Sequence, residues 1–182
     1  MQTRILFTGA QGTGKTSVIE CLSDDVPKVR NITRSTAKEN NCAINTNGCD
    51  TSQKLIFDAY LKALNANEFF VAERSLIDVY AYTLHQASIG MCSGETVRLQ
   101  LSMLKEFVHK HKDDIYVYFP IEFELVADGT RSVDKEYQKA IDEYIQDTLK
   151  AFKVKYITVS GSIGQRVETI NKLIDENIKR TN

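Results

Sequence analysis

The sequence has 182 residues, of which 42% are hydrophobic and 26% charged, and its formal net charge is -1. These values are typical of one soluble globular domain and disfavour a protein that grips long nucleic acid, because such proteins carry a basic excess. No apolar run approaches the length of a membrane span, and no signal peptide precedes the first apolar run. We therefore expect a cytoplasmic protein with no membrane partner; a virus-encoded protein acting in the host cytoplasm fits the same data.

The first predicted strand, Ile5–Thr8, leads into the loop GAQGTGKT at residues 9–16, and a helix is predicted to follow. The loop spacing, Gly-x4-Gly-Lys-Thr, is that of the phosphate-binding P-loop. Backbone N–H groups of such a loop converge on phosphate oxygens, the charge of Lys15 reaches the β- and γ-phosphates, and the Thr16 hydroxyl ligates Mg²⁺. We therefore predict an ATP and Mg²⁺ site whose nucleotide contacts are Gly9, Ala10, Gln11, Gly12, Thr13, Gly14, Lys15, Thr16 and Ser17.

The remaining chain alternates apolar runs with helical periodicity. Strands are predicted near residues 69–73, 115–119 and 156–159, with a weaker candidate near 28–32. Helices are predicted over residues 53–64, 76–86, 95–110, 134–152 and 164–179. This alternation predicts a single α/β domain over residues 1–182, with a parallel sheet covered by helices on both faces in three layers. Ligands then lie at the carboxyl ends of the strands.

An acidic and a basic residue end the third predicted strand, in the sequence Glu73-Arg74-Ser75. Phosphoryl transfer depends mainly on positioning and on neutralising charge. Glu73 can hold Mg²⁺, directly or through water, or it can accept a proton from an attacking hydroxyl. Arg74 can bind an acceptor phosphate or hold Glu73 in place.

A second polar cluster, VADGTRS at residues 126–132, follows the strand at 115–119 and precedes a long helix. Gly129 provides a hinge, and Arg131 can then close over the phosphates. A closing arginine neutralises charge in the transition state and excludes water, which matters most when the acceptor is not water. We therefore expect a lid over about residues 123–135, with Arg131 as both a catalytic and an ATP-binding residue.

Together these motifs resemble a family of small P-loop kinases whose best-known member is the nicotinamide riboside kinase domain of bifunctional regulators of NAD synthesis. The resemblance covers the P-loop, the Glu-Arg-Ser motif with the following Asp78 and Tyr82, and the Asp-Gly-x-Arg-Ser of the lid. Val-Ser-Gly at 159–161 and Arg166-Val167 also fit the family pattern. The resemblance implies a five-stranded parallel sheet, ATP with Mg²⁺ held by Thr16 and Glu73, and a nucleotide contact at Gly161. With the chemistry above, the expected catalytic residues are Lys15, Glu73 and Arg131.

The resemblance also implies an acceptor site between the second and third strands. The candidate acceptor-binding residues are Arg34, Lys38, Arg74, Asp78, Tyr82 and Asp128. The segment 31–38 supplies cations without a carboxylate, which favours an anionic or phosphate-bearing acceptor, because a phosphate needs cations more than a base. Family members that act on nicotinamide riboside carry an aspartate where this chain has Glu73. The expected acceptor is a nucleoside- or nucleotide-like small molecule, and its identity stays open, as does the oligomeric state.

The sequence also bears on three other functions. A GTPase is disfavoured because no Asn-Lys-x-Asp motif follows a predicted strand. A non-kinase P-loop ATPase is disfavoured because the sequence shows neither a strand ending in paired acids nor a helical lid domain. A regulatory nucleotide-binding module is disfavoured by the combination of Lys15, Thr16, Glu73 and Arg131. A kinase that phosphorylates 5-hydroxymethyluracil in DNA fits the size of the chain, because an extruded base offers a hydroxyl as a free nucleoside does, although the net charge argues against it.

The thiols and imidazoles give no sign of chemistry. None of the four cysteines is spaced for a metal or a redox pair, so we expect reduced thiols, with Cys21 buried in the first helix. His109 and His111 lie in a charged helix end and are expected to be solvated.

Overall fold

The computed structural model describes residues 3–44, 47–66, 68–125 and 134–181. Its centre is a five-stranded sheet in the order β2-β3-β1-β4-β5, and every pairing is parallel. The strands are β1 (Ile5–Thr8), β2 (Lys28–Val29), β3 (Val71–Ala72), β4 (Ile115–Tyr118) and β5 (Tyr156–Thr158). Ile5 lies opposite Val71 on one side and Ile115 on the other, so the loop after β1 leaves the middle of the sheet.

Helices cover both faces of this sheet. They are α1 (Lys15–Glu20), α2 (Ile32–Glu39), α3 (Asp50–Leu64), α4 (Leu76–Ser88), α5 (Gly94–Lys110), α6 (Lys135–Ala151) and α7 (Ile163–Thr181). Side chains alternate between the faces of a strand, and accordingly Leu6 belongs to the core beneath α3–α6 while Phe7 belongs to the core beneath α1 and α7. The predicted α/β three-layer fold with a parallel sheet is confirmed. Within the described residues, no helix is long and apolar enough to cross a membrane.

The region after β2 differs from the sequence-based expectation. The weak strand predicted at 28–32 is limited to Lys28–Val29, and the helix α2 already begins at Ile32. Asn31 adopts a left-handed backbone conformation with φ 64°, which turns the chain out of the strand and into the helix. Asparagine tolerates this conformation better than most residues. The alternating pattern of the strand covers too few residues here to predict the turn.

Two expectations about single side chains were wrong. Cys21 is exposed because α1 already ends at Glu20, and Leu22 fills the core in its place. His111 is only 4% exposed, since its ring packs on Phe107 with 4.7 Å between ring centroids. Burial, followed by the charges of Arg4 and Lys110, lowers the pKa of His111 to about 4. His109 is exposed, as expected.

Candidate active site

A cleft of about 770 Å³, which opens to solvent, lies at the carboxyl ends of the strands. It brings together segments that are far apart in the chain: the P-loop after β1, the start of α2, and the residues that follow β3. The lining residues are Gln11, Gly12, Thr13, Gly14, Lys15, Thr16, Ser17, Asn31, Thr33, Arg34, Ile44, Tyr60, Glu73, Arg74 and Tyr82. The parallel sheet therefore places the two predicted motifs, the P-loop and the Glu-Arg pair, in one site.

The P-loop depends on glycine at two positions in particular. Gly9 has φ 145°, and a Cβ built on it would lie 2.5 Å from the carbonyl oxygen of Phe119. Gly12 has φ 76°, and a Cβ there would lie 2.5 Å from the side chain of Leu125, near the start of the predicted lid. Any other residue would both strain the backbone and displace a neighbour, so the sequence folds into this loop only with glycine.

Lys15 is folded over the centre of the loop. Its side chain is 5% exposed, and its ammonium group donates to the carbonyl oxygens of Gly9 and Ala10, both at 2.6 Å. It also lies 3.1 Å from the hydroxyl of Thr13. The positive charge is therefore held within the loop, next to where phosphate groups bind in a P-loop.

Glu73 links the end of β3 to the P-loop. Its Oε1 accepts a hydrogen bond from the Thr16 hydroxyl at 2.5 Å, and its Oε2 accepts from the backbone N–H of Asn31 at 3.3 Å. Burial raises the pKa of Glu73, but the Thr16 hydrogen bond, the charge of Arg74 and the Asn31 N–H outweigh burial and leave the pKa below its ordinary value. At neutral pH the side chain is therefore a carboxylate.

Thr16 and Glu73 suit the Mg²⁺ that the P-loop implies. The two side chains offer a hydroxyl and a carboxylate oxygen at one point, and hard oxygen donors of this kind are the ligands that Mg²⁺ prefers. Mg²⁺ is commonly held by one or two protein oxygens together with substrate phosphates, so a larger cluster of acidic residues is not required. The donor set fits the ion.

Arg74 and Tyr82 form one wall of the cleft. The Arg74 guanidinium carbon lies 4.9 Å from the centroid of the Tyr82 ring, and the Tyr82 hydroxyl donates to Gln11 Oε1 at 2.9 Å. Burial lowers the pKa of Arg74, but neighbouring Tyr82 and Tyr60 raise it above the ordinary value, so its charge is permanent. The wall combines a flat cation with a flat aromatic ring.

Asp78, a candidate acceptor-binding residue, lies behind the cleft. It is fully buried and is not among the residues that line the cleft. Its Oδ1 accepts from the Thr8 hydroxyl at 2.6 Å and from the Gly9 N–H at 2.9 Å, and its Oδ2 accepts from the Ser75 N–H at 3.2 Å. The carboxylate thus braces the junction between β1 and the P-loop, and in this structure it does not line the cleft.

The other candidates fall into three groups. Arg34 lines the cleft, whereas Lys38 is exposed in the last turn of α2 and does not line it. Gly161 follows β5 outside the cleft lining, and its N–H donates to Glu122 at 2.9 Å. Asp128, Arg131 and the centre of the predicted lid lie outside the described residues.

Arg166 is a residue that sequence reasoning left without a role. It is fully buried at the start of α7, and its guanidinium donates to the carbonyl oxygen of Thr13 at 2.7 Å and to Glu122 Oε2 at 2.7 Å. Its Nε donates to the Gly161 carbonyl oxygen at 3.0 Å, and the group lies 4.6 Å from the Phe123 ring centroid. Arg166 therefore joins the P-loop, the start of the predicted lid at residues 122–123 and the loop after β5.

A deeper pocket of about 360 Å³ continues from the cleft past Arg74 and Tyr82. Its lining residues are Thr33, Ile44, Gln53, Ile56, Arg74, Val79 and Tyr82. Gln53 is 3% exposed, and the Thr83 hydroxyl donates to its Oε1 at 3.1 Å. The pocket is therefore mostly apolar with one fixed amide. The sequence offered no signal for Gln53 beyond its place in a helical period.

A family model described as an AAA domain matches residues 4–166. The chain therefore belongs to this family of P-loop nucleotide-binding domains. Among curated proteins, none matches the chain by sequence.

Solved structures of small kinases share the fold. A deoxyadenosine kinase from M. mycoides, with the products dCMP and a flexible dCDP bound, has a TM-score of 0.64 at 13% identity, covering 96% of this chain and 99% of that one. NadR in complex with NR has a TM-score of 0.73 at 16% identity, covering 96% of this chain and 51% of NadR. NadR with NAD and AMP-PNP has a TM-score of 0.70 at 13% identity, with 96% and 49% covered. The chain thus spans about half of NadR. The resemblance to small P-loop kinases is confirmed at the level of the fold.

Proposed function

We propose that the protein is a kinase that transfers the γ-phosphate of ATP to a nucleoside- or nucleotide-like small molecule. The observation that carries the proposal is the hydrogen bond between Thr16 and Glu73. It joins a P-loop to a carboxylate that lies beside a second, differently shaped pocket. A phosphate donor and an acceptor can therefore be held on the two sides of one carboxylate, as phosphoryl transfer requires.

The donor side of the site suits ATP with Mg²⁺. Lys15 supplies a fixed charge for the phosphates, and Thr16 and Glu73 supply the oxygens that would hold the ion. Bound Mg²⁺ neutralises charge on the phosphate oxygens. Nucleotides in structures of the same fold, dATP with the deoxyadenosine kinase and AMP-PNP with NadR, support this assignment. In the proposal Arg131 closes from the lid and shuts out water.

The acceptor side suits a heterocyclic base with a sugar. The deeper pocket is apolar around Ile56 and Val79, which favours a flat ring, and the Gln53 amide can hydrogen-bond to the edge of that ring. Arg74 and Tyr82 lie where this pocket meets the cleft, so the sugar would lie beside them and beside Glu73. The base-binding role of Gln53 is part of the proposal.

The carboxylate of Glu73 favours a hydroxyl over a phosphate as the attacking group, although the cations Arg34 and Arg74 line the same cleft. Glu73 is ionised and would repel an acceptor phosphate, and Lys38, which the sequence suggested as a cation for that phosphate, does not line the cleft. An ionised carboxylate can instead orient an attacking hydroxyl and accept its proton. We therefore favour a nucleoside over a nucleotide as the acceptor.

A panel of acceptors tests the function. The protein is incubated with labelled ATP and nicotinamide riboside, the deoxynucleosides, their monophosphates, or DNA with and without 5-hydroxymethyluracil, and the products are separated. We expect label on a free nucleoside. Label on modified DNA alone would replace the proposal with the DNA-kinase alternative. Label released only as free phosphate, at one rate whatever the acceptor, would end the kinase proposal.

A further inference from the structure

Gln11, the third residue of the P-loop, lies in the cleft next to Tyr82. It is 7% exposed, and it lines the cleft together with Arg74 and Tyr82. Its backbone carbonyl oxygen accepts a hydrogen bond from Gln138 Nε2 at 2.7 Å, which ties the loop to the helix that follows the predicted lid. A P-loop contacts phosphates through its backbone, so the long side chain at this position is available for another partner.

The orientation of the Gln11 amide is set by Tyr82. The Tyr82 hydroxyl donates to Gln11 Oε1 at 2.9 Å, and the Tyr82 ring is in turn held against the Arg74 guanidinium. The amide oxygen therefore already has a partner, and the unpaired part of the side chain is its N–H₂ group. That group binds a hydrogen-bond acceptor.

The amide nitrogen of Gln11 is buried without a partner. Among the described residues, no atom accepts a hydrogen bond from Gln11 Nε2. A buried donor without a partner destabilises the folded protein, so such groups need an explanation. A ligand oxygen that enters between the P-loop and the Tyr82 wall would remove this cost. In a nucleoside bound in the deeper pocket, the part that reaches this place is the sugar.

We infer that Gln11 binds the acceptor directly and selects for an oxygen on its sugar, with Tyr82 as the positioning residue that orients the amide. This inference rests on the kinase function proposed above and deepens it. In this proposal the P-loop has two roles, because its backbone binds the phosphate donor and its Gln11 side chain binds the acceptor. An acceptor that lacks the recognised hydroxyl leaves the amide nitrogen unpaired and is phosphorylated less efficiently.

The test compares acceptors that differ by one sugar hydroxyl. The nucleoside identified in the panel and its analogues lacking the 2′- or the 3′-hydroxyl are assayed with wild-type protein, with Gln11→Met and with Tyr82→Phe. Wild-type protein should prefer the full nucleoside over one analogue by about tenfold in kcat/KM, as expected for one hydrogen bond to a buried donor. In Gln11→Met this preference should fall to about one, with the change mainly in the KM of the acceptor.

Two further variants control the comparison. Gln146→Met makes the same chemical change on α6, where Gln146 contacts Tyr118 and Asp142, and it should leave the preference unchanged. Tyr82→Phe keeps the ring but removes the hydroxyl that holds the amide, and it should weaken the preference. In the double variant it should add nothing to the effect of Gln11→Met.

Each remaining outcome counts against the inference. An unchanged preference in Gln11→Met overturns it, and so does a wild-type protein that is indifferent to both hydroxyls. A loss that falls equally on all acceptors, with weaker ATP binding, would assign the amide to the phosphates instead. If Gln11→Met does not fold, an unchanged preference in Tyr82→Phe overturns the inference. If wild-type protein phosphorylates no nucleoside, the proposed function fails first, and the panel reveals that separately.

Discussion

Replacing Glu73 by glutamine separates the charge of this side chain from its shape. The amide oxygen can still accept from the Thr16 hydroxyl, which lies 2.5 Å from Oε1, and the longer hydrogen bond from the Asn31 N–H at 3.3 Å is lost, so most of the local structure should persist. What disappears is the negative charge that the Thr16 hydroxyl, Arg74 and the Asn31 N–H stabilise against burial. Without that charge, the side chain can neither accept a proton nor neutralise the charge of Mg²⁺.

The expected loss follows from these two roles. A positioned proton acceptor contributes about 10²–10⁴ in rate. Replacing a charge-assisted hydrogen bond by a neutral one costs about 1 kcal/mol, or roughly fivefold. We therefore expect kcat to fall by about 10³ in Glu73→Gln. Binding of ATP should change much less, because Lys15 and the P-loop backbone remain.

Steady-state transfer from labelled ATP, together with ATP binding by calorimetry, measures both effects. Glu73→Asp is the matched control, since it keeps the charge and shortens the side chain by one methylene, and it should lie between wild type and Glu73→Gln. If a higher Mg²⁺ concentration restores the kcat of Glu73→Gln, the Glu73 side chain acts as a metal ligand. If it does not, the side chain acts as the proton acceptor. A kcat within about threefold of wild type would refute both roles.

Three more predictions concern single residues. Lys15→Ala should abolish transfer while circular dichroism shows an intact fold; unchanged turnover would contradict the P-loop assignment. Arg131→Ala should lower kcat by about 10³ and weaken ATP binding less, and an effect on the ATP dissociation constant alone would reduce the lid to a clamp. His111 has a folded-state pKa of about 4, below its ordinary value, so the unfolded state binds its proton first as the pH falls. Stability should therefore decrease below about pH 6.5, by at most about 3 kcal/mol near pH 4. Urea unfolding of His111→Gln should show a flatter pH dependence than wild type or His109→Gln, and equal slopes would refute the assignment.

Local patterns were sufficient for much of the fold. The strand before the P-loop, the long helices and the Glu-Arg pair after β3 are all visible in short windows, because hydrophobic period and glycine spacing act within a few residues. Predictions failed where a boundary depended on one backbone angle, as at Asn31, or where a charged-looking segment folded back onto the core, as at His111. Neither feature changes the hydrophobic periodicity of the sequence, so neither could be predicted from it.

The sequence by itself determined that a P-loop follows a central strand, that a carboxylate and a guanidinium follow another, and that parallel strands bring them to one edge. Only the tertiary structure decided what the remaining side chains do. Asp78 braces the P-loop instead of lining the cleft, Gln53 enters the deeper pocket, and Tyr82 orients Gln11. Arg166 holds the carbonyl oxygen of Thr13, a residue 153 positions away. Such pairs are set by how helices pack across the sheet, and a single sequence carries no local signal for the neighbour that a buried polar group will find.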